Sequence, residues 1–382
     1  MSSPSIDTLK SLSSQMFLEP AEETGCPKID DRDGMAGMVH HAAMPNGKSI
    51  KLLKTLLTSA CERNCFYCPF RAGRDFRRAT LKPDDMALTF MNLHQASVVE
   101  GLFLSSGIIN GGLKTQDKII ATAEILRKKY RYTGYLHLKV MPGVERAQVE
   151  QVMLLADRVS INLEAPNSER LSHLAPRKEF IEELLRPLKW IEEIRQTEAP
   201  QNAWKNRWPS SVTQFVVGAA GESDLELLLT TDYLYRKLHL KRAYYSKFNP
   251  IEDTPLEGLP PTPPQREHRL YQASFLIRDY GFSPEEFPFS QDGNLPSSQD
   301  PKLAWAEKNL LNSPIEINQA NREELMRVPG IGPKNARAIL ITRYRNPFKT
   351  VEDLRRIGIN PVKALPYILI SGRQPAHQIA MF

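Results

Sequence analysis

Cysteine is scarce in this chain, with four residues in 382, too few for the disulfide framework of a small secreted scaffold. Long apolar runs are missing as well. No stretch approaches the roughly 20 residues that cross a bilayer, so no membrane partner is expected. Residues 1–23 lack a basic segment followed by an apolar core, which predicts no secretory signal. Leu9, Leu12, Met16 and Phe17 space out instead as a short amphipathic helix. Excess charge is absent from most of the chain. Residues 1–312 balance to zero, whereas 313–382 carry eleven Lys and Arg against five Asp and Glu and hold the whole net charge of +6. A basic C-terminal segment suits a polyanion; a solvated basic surface is the plainer alternative. The length allows two or three domains.

Three of the four cysteines fall within eight residues. Cys61, Cys65 and Cys68 stand in Cys-Glu-Arg-Asn-Cys-Phe-Tyr-Cys, a C-x3-C-x2-C spacing. Three thiolates can hold a metal centre without completing it. A [4Fe–4S] cluster normally takes four cysteines, so three leave one iron open, as catalytic metal sites require. Zinc is the alternative and needs a fourth ligand, for which Cys26, His40 and His41 are the candidates. No second Cys or His pair at structural-zinc spacing accompanies the motif.

The run resembles the cluster motif of the radical S-adenosylmethionine (SAM) superfamily. The resemblance implies a [4Fe–4S] cluster whose open iron chelates the amino and carboxylate groups of SAM. A low-potential electron donor then drives reductive cleavage to methionine and a 5′-deoxyadenosyl radical, which abstracts hydrogen from a substrate. The family prefers an aromatic residue just before the third cysteine. Tyr67 holds that place and is the candidate catalytic side chain. The need for reduced thiolates predicts a cytoplasmic location. Four cysteines exclude a second full cluster held by cysteines alone. Cys26 stands apart and is expected to be a small buried apolar residue, with a spare ligand or a hydrogen-atom donor as alternatives.

Strand-like runs at 52–58, 101–105, 135–140, 158–163, 212–217 and 242–247 alternate with helical patterns near 83–99, 115–130, 145–156, 177–197 and 222–238. Six such units predict an α/β fold with a parallel sheet. Periodicity alone does not separate an open barrel from a flat doubly wound sheet. The radical SAM resemblance implies the barrel, a partial (βα)6 form with the cluster loop after the first strand. The expected organisation is an N-terminal extension (1–48), the barrel (49–254), a connector with one helix near 265–280 and an irregular stretch (255–312), and a C-terminal domain (313–382).

Functional side chains in such folds gather at the C-terminal ends of the strands. That places Ser105, Ser106 and Gly107 after the second strand. Family members often read Gly-Gly-Glu here and bind the SAM amino group; this chain lacks the acid, so only backbone contacts carry over. Ser160, Asn162 and Glu164 share one face of the fourth strand and are candidates for the SAM ribose and amino acid ends, or polar barrel filling. Arg177 is a candidate partner for the SAM carboxylate, or a surface charge. Gly218 would let adenine approach the backbone. Arg71, Arg74, Arg77, Arg78 and Lys82 form a basic loop that either steers phosphates or is solvated. Trp204 and Trp208 flank basic residues in an insert that either stacks on bases or is pinned by its indoles.

The segment 317–340, with Val-Pro-Gly-Ile-Gly-Pro-Lys at its centre, resembles the helix-hairpin-helix family of DNA-binding modules. Asn321 and Glu324 form a capping box. Gly330 and Gly332 permit a sharp turn, and Ile331 plugs the apolar space between the helices. A second helix at about 334–345 offers its first amides to a DNA phosphate, beside Lys334 and Arg337. Residues 348–366 read as a degenerate second copy with one glycine fewer. Together the two halves resemble a bacterial family of DNA modification or repair radical SAM proteins. The resemblance implies a partial radical SAM barrel with a C-terminal all-α helix-hairpin-helix domain, DNA gripped by its backbone, and a glycosylase-like partner protein. The same chemistry on RNA, and a non-catalytic iron–sulfur DNA sensor, are the alternative readings.

Overall fold

The apolar runs become strands of one sheet because β-branched and aromatic side chains fill both faces. The computed structural model describes residues 4–18, 38–43 and 49–377; Cys26 lies outside them. Helix α1 (Pro4–Ser14) precedes strand β1 (Val39–Ala43), which pairs antiparallel with β2 (Ser49–Leu56). Parallel βα units follow: α2 (Pro83–Gln95), β3 (Gly101–Ser105), α3 (Gly111–Glu124), β4 (Tyr135–Lys139), α4 (Arg146–Leu155) and β5 (Arg158–Ser160). The chain continues through α5 (Ser168–Leu174), α6 (Arg186–Thr197), β6 (Ser210–Val217), α7 (Asp224–Lys237) and β7 (Arg242–Lys247). The order runs β1 to β7 without closing, and the sheet curls into a half-barrel.

The seventh strand, β1, was not expected. It lies in the N-terminal extension, and the extension is built into the barrel unit. Leu9, Leu12 and Met16 are buried, and the buried Lys54 of β2 donates to the Met16 carbonyl at 2.7 Å. A buried lysine in a strand needs such an acceptor for its ammonium group. The expected helix at 177–197 is a π-helical turn (Phe180–Leu185) running into α6, preceded by the separate α5.

The tryptophan insert is pinned. Trp204 packs 3.9 Å from the Arg127 guanidinium, and Trp208 Nε1 donates to the Glu198 carbonyl. Arg127 pairs with Asp157 at 3.0 Å with both side chains 2% exposed. It also donates to the Leu155, Tyr132 and Gly134 carbonyls. Lys205 of the insert joins Asp157 at 2.9 Å, so these aromatics are taken up by the fold.

Two compact units emerge: residues 1–222 with 233–262, and residues 223–232 with 263–382. In the second, α8 (Pro264–Tyr280) and α9 (Pro301–Asn309) precede β8 (Ile315–Glu316), α10 (Arg322–Arg327), α11 (Pro333–Arg345), α12 (Val351–Arg356) and β9 (Ile368–Leu369). Residues 263–312, expected as connector, therefore form part of this unit. The capping box of Asn321 and Glu324 starts α10. Ile331 is buried with Leu325, Val328, Ile339 and Phe348 in the unit's core. The degenerate copy keeps its first helix, α12, with a Thr350–Asp353 capping box. Its second helix is absent: Pro361 and Pro366 break the segment, and a single 3-10 turn (Leu365–Tyr367) leads into β9. The C-terminal region is helical as expected, with one short addition, the two-residue parallel pair of β8 and β9.

Candidate active site

The C-terminal ends of β2 to β7 surround a cleft of about 1110 Å³ including its open mouth, within reach of the usual size of small-molecule sites. Cys61, Cys65 and Cys68 line it together with Tyr67, Ser105, Ser106, Gly107, Asn162 and Glu164. The loop carrying the cysteines is held by backbone bonds to neighbouring elements. Glu62 N donates to the Ile108 carbonyl and Phe66 N to the Leu174 carbonyl. The Glu62 carboxylate accepts from the amides of Asn110 and Gly111 at the start of α3. Arg78 donates to the carbonyls of Ser59, Phe70, Arg71 and Arg74. Arg74 donates to the Pro69 carbonyl, so two members of the basic run shape the cluster loop, while Arg77 and Lys82 remain exposed.

Gly107 fixes how closely that loop meets β3. A Cβ there would lie 2.2 Å from the Ala60 carbonyl oxygen and 3.1 Å from that of Thr58. The Gly107 amide donates to Thr58 O at 2.7 Å, so its backbone is a scaffold contact.

The thiols fit an iron–sulfur cluster. Burial pushes the Cys65 thiol up, with Lys178 pulling against it, and pushes Cys68 well up, reinforced by the charge of Cys65. Neighbouring buried thiols resist joint ionisation, and iron supplies the compensating positive charge. The sulfurs also receive backbone amides, Ile108 N on Cys61 at 3.5 Å and Phe70 N on Cys68 at 3.4 Å. Among the described residues no His, Cys, Asp and Glu trio stands in single-ion geometry. His40 and His41 lie on β1 and do not line the cleft.

Beside the thiols lies a buried polar network, and its Lys178 reaches the Cys65 sulfur. Tyr67 donates its phenol to Glu164, and Lys178 donates to the other Glu164 oxygen at 2.8 Å. Burial raises the Tyr67 pKa well above its usual value, with the Glu164 charge adding to it; the phenol stays neutral and donates. Burial opposes the Lys178 charge, but Cys65 and Glu164 outweigh it and hold the ammonium protonated. Glu164 adopts φ +67°, a sparsely populated region for a side-chain-bearing residue. Its amide bonds Gln214 O and its carbonyl accepts from Val216 N. Strained backbone held this firmly concentrates at functional sites. Beside it, Lys139 donates to Asn162 at 2.5 Å, and Asn162 Nδ2 to Gln214.

The other expected residues fall elsewhere. Ser160 faces a small interior pocket with His137 and Asn162, its hydroxyl without a partner among the described residues. Arg177 is exposed and does not line the cleft; its carbonyl accepts from Arg63 at 2.6 Å. The adjacent Lys178 turns inward instead. Gly218 does not line the cleft; its missing side chain makes room for Thr262, whose Oγ1 would lie 2.0 Å from a Cβ. Lys139, Lys178 and Gln214 were overlooked in the sequence. Lys139 and Gln214 carry a strand-end or strand-interior signal, but Lys178 carries none.

In the second unit, Gly330 takes φ +81° at the hairpin, as a left-handed turn requires, whereas Gly332 has φ −103° and caps α11 without a side chain. The first-turn amides of α11 are therefore left to an outside acceptor. Lys334 and Arg337 are exposed beside them. Lys302 braces the turn, donating to the Ile331 carbonyl at 2.6 Å.

Residues 55–233 match the radical SAM superfamily and residues 312–362 a helix-hairpin-helix motif. The first unit therefore contains a radical SAM domain, of a family that uses a [4Fe–4S] cluster and SAM. Among solved structures, similarity is found to the FeFe-hydrogenase maturase HydG from Carboxydothermus hydrogenoformans, at 15% identity over 59% of this chain and 51% of that one, TM-score 0.45. Methylornithine synthase PylB matches at 13% over 59% and 61%, TM-score 0.46. Coproporphyrinogen III oxidase HemN from Escherichia coli matches at 13% over 59% and 52%, TM-score 0.38. This chain spans about half to three fifths of the length of these structures, and likeness at this level fixes no substrate. No curated protein matches the chain. Among the described residues, no helix is long and apolar enough to cross a membrane.

Proposed function

We propose that this protein is a radical SAM enzyme that repairs or modifies a nucleotide in DNA. The observation that carries the reading is one chain with two parts: a cysteine-lined radical SAM cleft, and a hairpin whose open helix start is flanked by exposed Lys334 and Arg337. Backbone amides and cations of this kind grip phosphate and not base identity. The bound cluster and SAM supply a 5′-deoxyadenosyl radical, fed by a low-potential electron donor. Cys61, Cys65 and Cys68 hold the cluster. Asn162 and Glu164, oriented by Lys139 and by Tyr67 with Lys178, are assigned to SAM, with Ser105, Ser106 and Gly107 walling the cleft. Lys178, and not Arg177, lines the cleft and would be a cation available to the bound cofactor. A base within an intact duplex is out of reach, so the target nucleotide is extruded or already unpaired, which favours repair. A glycosylase-like partner and a cytoplasmic setting fit this role.

The test is anaerobic. Protein reconstituted with iron and sulfide receives SAM and a strong reductant, and 5′-deoxyadenosine is quantified with irradiated, deaminated or intact DNA. Release stimulated by one DNA class is expected; none with any DNA, from protein carrying its cluster, would overturn the DNA reading. Lys334→Glu is expected to weaken binding of all DNA sequences alike and to flatten its salt dependence. Unchanged affinity would remove the hairpin from the interface.

A further inference from the structure

We propose that the outward face of α11 holds an unstacked stretch of DNA strand, with Tyr344 stacked on an exposed base. This rests on the DNA reading above and narrows it to DNA containing unpaired nucleotides.

Positions 334, 337, 341 and 344 recur at three- and four-residue intervals, so Lys334, Arg337, Ile341 and Tyr344 share one side of the helix. Ala336 and Ile339 on the opposite side are buried in the unit's core. Tyr344 is 92% exposed and Ile341 54%, and they stand three residues apart. A single exposed apolar side chain needs no explanation. Two in line with two cations, running from the phosphate-binding helix start, form a strip with a direction. The strip extends about 15 Å at 1.5 Å per residue, so a strand of about four nucleotides covers it even at the 3.4 Å spacing of stacked DNA, and fewer once it is unstacked.

Charge selects the occupant. Helix α11 contains no Asp or Glu. Arg345 is a further exposed cation on this side, while Arg343 is turned inward onto the Ile317 and Ala320 carbonyls. No ion pair is made by Lys334, Arg337 or Arg345 among the described residues. A polyanion neutralises this face, and an aromatic ring at its end gains nothing from an intact duplex, whose base faces are covered by stacking. An unpaired base offers its π-face to the ring.

The experiment uses the full chain and fluorescence anisotropy on an intact duplex and on the same duplex with a gap of about four nucleotides, the gap carrying 2-aminopurine. Wild type is expected to prefer gapped DNA and to change the 2-aminopurine emission. Tyr344→Ala should bind gapped DNA about 5- to 140-fold more weakly, lose the emission change, and bind intact duplex as wild type does. Tyr344→Phe should behave as wild type, because stacking needs the ring and not the hydroxyl. Equal affinity of Tyr344→Ala for gapped DNA overturns the proposal, as does an equal loss on both DNAs or a Phe variant as weak as Ala. A Tyr344→Ala variant that alters only self-association would make the face a protein interface and overturn it too. If wild type binds neither DNA, or Lys334→Glu changes nothing, the DNA reading itself fails; loss at Lys334 with no effect at Tyr344 sinks this inference alone.

Discussion

Removing both members of the Glu164–Lys178 pair is expected to destabilise the barrel by less than the two single removals added together. Their side chains are 5% and 9% exposed and stand 2.8 Å apart. At that distance and an effective dielectric near 20, their attraction is about 6 kcal/mol, most of it offset by the desolvation of both charges. Lys178→Met leaves the Glu164 carboxylate buried with Tyr67 as its remaining partner, at an expected cost of about 3–5 kcal/mol. Glu164→Gln keeps one acceptor oxygen for Lys178, turns its NH2 toward Tyr67 in place of the second oxygen, and loses the charge, costing about 1.5–3 kcal/mol. The double variant removes both charges and should fall short of the summed losses by about 2 kcal/mol. The assay is urea unfolding of iron-free protein under reducing, anaerobic conditions, so that metal binding does not mask the pair. Tryptophan emission reports this unit, which holds Trp190, Trp204 and Trp208 of the four tryptophans. A Lys178→Met cost below about 1 kcal/mol, or strict additivity in the double variant, would refute the reasoning.

Gly107→Ala should push the cluster loop off β3, because the added Cβ meets the Ala60 carbonyl at 2.2 Å; a loss of about 1–3 kcal/mol and poor iron incorporation are expected. Gly258→Ala, where nothing lies within 4 Å, is the control, and equal iron content in the two would contradict the packing argument. Lys302 offers a pH test. Burial lowers its pKa to about 7 from 10.5, with Asp300 pulling the other way. Between those values the unfolded chain holds a proton that the folded one lacks, so this lysine makes stability rise with pH by up to about 1.4 kcal/mol per unit. The stability difference between wild type and Lys302→Met should therefore shift in favour of wild type from pH 7 to 9.5, measured by hydrogen exchange at the hairpin; a constant difference would exclude the shift.

Cys61, Cys65 and Cys68 could be read as candidate cluster ligands because three soft ligands at short spacing have few other uses, and all three line the cleft. The hairpin was legible because Asn321, Glu324, Gly330 and Ile331 act within a dozen residues of one another. The six parallel strands could be read from apolar runs that need burial on both faces. Strand β1 could not, since Val-His-His-Ala-Ala is a weak strand pattern and is held by its pairing with β2. Helix α9 follows directly on a stretch rich in proline and serine and was read with it as connector.

What the sequence by itself determined were the features whose cause is local: ligand spacing, capping boxes, turn glycines, and the concentration of charge after residue 312. Only the tertiary structure decided which polar side chains reach the cleft. Arg177 and Lys178 are neighbours in a turn, and one faces water while the other meets Glu164, fourteen residues away. Glu164 is aimed by a left-handed backbone that its bonds to β6 enforce. Gly218 turned out to accommodate Thr262. In each case the deciding partner is distant in the chain, and no pattern within a window of sequence records it.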